Sequence, residues 1–187
     1  MKKSFCILLI ALPLFILAQD KYDKKYLLVE GVDLDKIDNS EKELLISSLD
    51  KFHKAKEDSV KVKALAFFAE NSWDDNLWPL YNNWVYNYVE EKLKGKHSKA
   101  YTNFYQKTYV KSMSNKGFGY MVQGNLKKAL TIFYEALELA EKTKNETVLS
   151  ELYNNIAGVY EMQAKLEEAL DYYGRALKIL QKKGFEE

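Results

Sequence analysis

From residue 40 onward, apolar residues return every third or fourth position and almost never every second, the spacing of amphipathic helices and not of strands. Ser40 with Glu43 three residues later reads as a capping box, and Leu44, Leu45, Leu49, Phe52 and Ala55 carry an apolar face to about Lys56. Asp58 or Ser59 is expected to cap a second helix through Val62, Leu65, Ala66, Ala69 and Trp73, with Asp74, Asp75 and Asn76 as a turn. Pro79 suits the first turn of a third helix, where a missing N–H does little harm; it runs through Trp78, Tyr81, Trp84, Val85, Tyr88, Val89 and Leu93 to about Lys94, and Gly95 stops it. Ser98 caps a long helix to about Gln123, and Gly124 with Asn125 supplies a turn and the next cap. Further helices are predicted over about Leu126 to Lys142, Thr147 to Gln163 and Lys165 to Lys182. No Asn-Gly or Asp-Gly hairpin turn occurs, so the pattern predicts an all-α fold. Residues 19–39, charged and carrying Gly31 with Asp33, Asp35 and Asp38, read as an irregular leader.

The last four predicted helices contain an internal echo at an offset of 40 residues. Asn115, Tyr120, Gln123, Leu126, Ala129, Leu130, Ala136 and Leu137 recur as Asn155, Tyr160, Gln163, Leu166, Ala169, Leu170, Ala176 and Leu177. Conservative pairs fill in the rest: Gly117 with Ala157, Gly124 with Ala164, Phe133 with Tyr173, Leu139 with Ile179. A fixed period of this length means stacked supersecondary units. Such arrays present surfaces to partners far more often than they carry out chemistry.

At the echo the chain resembles the tetratricopeptide repeat family. That helix-turn-helix pattern sets a small residue three positions before a tyrosine on the first helix, then an alanine four positions before an aromatic on the second. Here these are Gly117, Tyr120, Ala129 and Phe133, then Ala157, Tyr160, Ala169 and Tyr173. Small residues let paired helices approach, and the aromatics fill the space between pairs. The period is longer than the family norm of ~34 residues, the usual tryptophan is replaced by Met113 and Tyr153, and no proline ends either second helix. The resemblance implies a right-handed superhelical stack of antiparallel helix pairs, with units at about 110–142 and 150–182 and a degenerate helical layer over 40–96. Lengthened units of this look, with Asn-Asn-Ile-Ala at Asn154 to Ala157, are similar to repeats in the extracytoplasmic sensor regions of bacterial tetratricopeptide signalling proteins, many of them histidine kinases. The segments Phe52 to Val62 and Trp73 to Asp75 resemble what precedes the repeats there. No phospho-acceptor or ATP-binding domain accompanies them.

Composition narrows the function classes. The 187 residues are 47% apolar and carry 28 basic against 27 acidic groups, with Arg175 the one arginine. A near-neutral surface without clustered cations is not that of a nucleic-acid binder. Residues 1–18 have the layout of a secretory signal peptide: Lys2 and Lys3, an apolar run from Phe5 to Leu17 too short for the ~20 residues of a membrane span, and small Ala18 before Gln19. The expectation is an exported, periplasmic or secreted protein; an uncleaved anchor is the alternative. The single cysteine, Cys6, lies inside that run, so the remainder has no disulfide, thiol or cysteine ligand to offer.

Candidate chemistry is sparse, and no cofactor or metal is expected. His53 and His97 stand apart from any ligand or acid-base pattern, Asp33, Asp35 and Asp38 lack the spacing of a calcium loop, and Gly117-Phe118-Gly119 lacks a strand and a third glycine. No nucleophile, base and oxyanion set suggests an enzyme. The aromatic stretch from Trp73 to Tyr109 reads as core or interhelix packing, with stacking on a small ligand as the alternative. What the family resemblance implies is a protein or peptide partner held on the first helices, often by an asparagine amide that donates and accepts at once. The matching positions are Asn115 and Asn155, with Lys111, Ser114, Phe118, Met121 and Val122 beside the former and Glu151, Asn154, Gly158, Glu161 and Met162 beside the latter. Solvated polar residues kept by repeat ancestry are the competing reading. A terminal unit needs a polar outer face, yet the last helix carries Leu170, Tyr173, Ala176, Leu177 and Leu180. Another chain, a second copy included, or a continuing array is expected to cover it.

Overall fold

The computed structural model describes residues 22–184 and is all-helical there; the predicted signal segment and the start of the leader lie outside the described residues. Eight helices follow one another: α1 (Lys24–Leu27), α2 (Asn39–Lys54), α3 (Asp58–Asn71), α4 (Trp78–Leu93), α5 (Lys99–Val122), α6 (Leu126–Thr143), α7 (Glu146–Met162) and α8 (Leu166–Gly184). Each packs on its neighbours in sequence from α2 onward, and α3 with α5 and α5 with α7 also touch, skipping the helix between them. This stacking of antiparallel pairs, α3 with α4, α5 with α6 and α7 with α8, makes an α-α solenoid.

Two cores result. The first gathers Leu45 and Leu49 of α2, Val62, Leu65 and Phe68 of α3, Tyr81, Val85 and Val89 of α4 and Tyr105 of α5. The second gathers Val110 and Met113 of α5, Phe133, Ala136 and Ala140 of α6 and Leu152, Ile156 and Val159 of α7. The long helix α5 belongs to both, and Tyr109 packs against each. Small residues set the approach of α5 to α6: a Cβ on Gly117 would lie 2.5 Å from Cε1 of Phe133.

Several caps differ from the sequence pattern. Asp38, not Ser40, caps α2, its carboxylate accepting from the Ser40 N–H at 2.9 Å; the aspartate two residues earlier stands where the chain enters the helix and its oxygen meets the free amides first. Glu57 precedes α3 without a side-chain cap, and Asp58 instead pairs with Lys92 at 2.6 Å. That partner holds the Asp58 carboxyl below the ordinary carboxylate range. α3 stops at Asn71, so Trp73 leaves the helical face and is 68% exposed. The leader makes one helical turn, α1. His53 stacks on Tyr26 and bonds its backbone carbonyl, while the Tyr81 hydroxyl donates to the Leu27 carbonyl at 2.9 Å. His97 likewise bonds the Lys92 carbonyl at 2.6 Å, finishing the end of α4.

The two repeat turns differ in quality. Gly124, at φ 76°, and Asn125, which accepts from the Lys128 N–H at 3.3 Å, are replaced in the second unit by Ala164, at φ 59°, and Lys165. A left-handed conformation costs an L-residue roughly 1–2 kcal/mol, and lysine is no cap. Copying the first turn by Ala164→Gly with Lys165→Asn is expected to raise stability by about 1 kcal/mol, since the relieved strain and a new cap outweigh the chain entropy of glycine. Urea denaturation measures it; an unchanged midpoint would show that the second turn is not strained.

Candidate functional site

The helices that lead each pair, α3, α5 and α7, share one side of the stack, and two adjoining hollows open along it. One, of about 410 Å³, lies between α5 and α7 and is also lined by Ala176 and Leu180 of α8. The other, of about 390 Å³, runs from α3 across α5 to the start of α7. Lys111 and Glu151 line both.

The first hollow brings together Lys111, Ser114, Asn115 and Phe118 with Glu151, Asn154 and Asn155. The rest of the predicted face lies farther toward the turns. Met121 faces Gly158, its sulfur 3.8 Å from where a Cβ would stand, Val122 and Met162 are exposed, and Glu161 accepts from the Tyr173 hydroxyl at 2.7 Å.

Within the hollow the charges cancel. Lys111 and Glu151 occupy equivalent repeat positions and form an ion pair between α5 and α7, leaving no unpaired cation on this floor to clamp a carboxylate. The asparagines are used unequally. Asn115 donates its amide to Oδ1 of Asn82 at 3.1 Å, and Asn82, 4% exposed, donates in turn to the Ser112 carbonyl at 3.0 Å. Asn155 donates to Oγ of Ser114 at 3.4 Å. Each therefore spends one of its two amide N–H donors inside the protein, while Asn154 is exposed and has no side-chain partner among the described residues. In the second hollow, Phe67 is 49% exposed beside Lys63, Glu70 and Lys107. Loss of solvent around the Glu70 carboxylate raises its pKa, with Lys111 pulling the other way, although the residue as a whole remains exposed.

Sequence reasoning passed over Ser150, Ala176 and Leu180 in the first hollow and all of α3 in the second. The signal for α3 was Phe67, an apolar residue off the face formed by Val62, Leu65, Phe68 and Ala69. The aromatic stretch packs between helices: Trp78, with its indole N–H on Asp75, Tyr81 and Tyr105 are buried, Trp84, Tyr86, Tyr88, Phe104 and Tyr109 half-buried, and Trp73 and Tyr101 exposed. Among the described residues, no group of His, Cys, Asp and Glu is placed to hold a metal ion, and no helix is long and apolar enough to cross a membrane.

Paired helices stacked in register, with a hollow along the leading helices, define a helical-repeat protein. Residues 109–182, from the middle of α5 to near the end of α8, match the model of the tetratricopeptide repeat family. That repeat is in general a non-enzymatic module for protein–protein interaction. Comparison with curated proteins and with solved structures gives no match.

Proposed function

We propose that the chain is an exported interaction module that holds an extended protein segment across α5 and α7. The observation that carries this reading is the amide-lined hollow whose one ion pair is already satisfied internally. A neutral floor lined by the side-chain amides of Asn115, Asn154 and Asn155 suits a peptide backbone, which donates and accepts along its length. It does not suit a terminal carboxylate, which needs an unpaired cation. Phe67 and Phe118 supply apolar contacts on either side. The apolar run at Phe5 to Leu17 supports export, and the likeness of Phe52 to Val62 to the segment preceding sensor repeats supports a place as the sensing part of a signalling system.

A photoreactive residue placed at Asn154 tests the groove in intact cells. Covalent capture of one discrete partner from position 154, absent when the same residue is placed at exposed Lys144 on the loop before α7, is the expected result. Identical products from both positions would refute a dedicated groove.

A further inference from the structure

The last helix, α8, carries more exposed large apolar side chains than any other described helix. Leu166, Leu170, Leu177 and Leu180 are 63%, 70%, 53% and 54% exposed. Their echoes on α6 are Leu126, Leu130, Leu137 and Ala140, and there α7 lies against them in the second core. The stripe therefore repeats, in the same register, a face that is packed inside the protein one unit earlier.

We propose that the occupant is a second copy of the chain, its α8 running antiparallel to this one about a two-fold axis near Tyr173. Spacing, charge and backbone access each point there. The apolar positions step by four, three, four and three residues, the seam of a helix pair, and they are nearly symmetric about Tyr173: Leu166 falls opposite the second copy's Leu180, and Leu170 opposite its Leu177. Charge is self-complementary in that direction alone. The first half of α8 carries Glu167, Glu168 and Asp171, and the second half Arg175, Lys178 and Lys182. Glu167 and Lys178 pair with nothing among the described residues, and the symmetry that matches the leucines sets Glu167 beside the second copy's Lys178 and the reverse. A parallel pair would bring acid against acid and base against base.

Gly174 supplies the access. Glycine in mid-helix costs about 1 kcal/mol relative to alanine, and among the described residues nothing beyond its own stretch of helix comes within 4 Å of where its Cβ would stand. Its echo on α6 is Tyr134. The internal fold gives position 174 no reason to be small, whereas two helices crossing there would approach most closely at that point. A two-fold contact of this kind closes on itself and meets the groove between α5 and α7 only at Leu180, which lines its α8 side.

Sedimentation equilibrium of the purified protein tests the proposal. The wild type is expected to be a dimer, and Leu170→Glu or Leu177→Glu to weaken association by about a hundredfold through an unpaired charge in the seam, with helical content unchanged because both residues are exposed in the protomer. Glu167→Lys and Lys178→Glu should each weaken it several-fold, and the two together should restore it. In a Cys6→Ser background, Leu166→Cys protein should cross-link to Leu180→Cys protein and not to itself. A wild type that stays monomeric, a dimer indifferent to the leucine variants, charge changes that only add, or self-linkage of Leu166→Cys would each overturn it.

Discussion

Phe133→Ala is expected to cost about 3–5 kcal/mol, the range for deleting a buried aromatic side chain, and to lower the melting temperature by about 10 °C or more. The ring is fully buried and fills the space that Gly117 leaves open on α5. No neighbouring side chain on that stretch of helix can fall into the gap, because the residue facing it has none. The close approach also fixes the sign of a second measurement. In the wild type, Gly117→Ala sets a Cβ against the ring and is unfavourable; in the Phe133→Ala background the same methyl enters a void and adds helix propensity, so it becomes favourable. A double-mutant cycle should show this reversal as a coupling of at least about 1 kcal/mol. Simple additivity would mean that α5 and α6 do not meet at this pair. The repeat contains its own control: Tyr173, the echo of Phe133, is only partly buried and turns its hydroxyl to Glu161, so Tyr173→Ala should cost markedly less.

The second large effect is expected at Glu41. This carboxylate, 1% exposed, accepts from the Ser72 hydroxyl at 2.6 Å and from the Trp73 N–H at 3.0 Å. It stands in the first turn of α2 and holds the two residues that follow α3, so one side chain ties the start of one helix to the exit of the next. Glu41→Ala leaves a buried N–H and a hydroxyl without their acceptor, which costs about 1–3 kcal/mol, and removes a favourable charge from a helix N-terminus, worth about 0.3–1 kcal/mol. A total near 2–4 kcal/mol is expected by denaturant titration. Glu41→Gln should fall between alanine and wild type, because its amide retains one acceptor but turns a donor toward the other partner. Equal losses for alanine and glutamine would show that the charge, and not the hydrogen bonds, carries the contact.

Helices were the most legible part of the sequence because each buries one face, and burial of one face is what periodicity records. Ends were less so. Whether Asp38 or Ser40 caps α2 depends on which oxygen reaches the free amides as the chain enters the helix, and both residue types are competent. The site was legible as far as the repeat extends: Lys111 and Glu151 stand at equivalent positions, yet that equivalence does not say that the two side chains meet across α5 and α7. The inequality of Asn115 and Asn155 was out of reach altogether, since it comes from Asn82, which lies outside the repeat. For the same reason the contribution of α3 was hidden.

The double membership of α5 bears on how the protein comes apart. Tyr105 is locked into one core and Val110, little more than a turn farther on, into the other. Neither half can melt alone without fraying a helix the other half grips, so local opening is penalised at the junction where repeat arrays usually yield. Lys111 and Asn115 of the groove therefore stand on the same continuous helix that the core preceding the repeats holds at Tyr105.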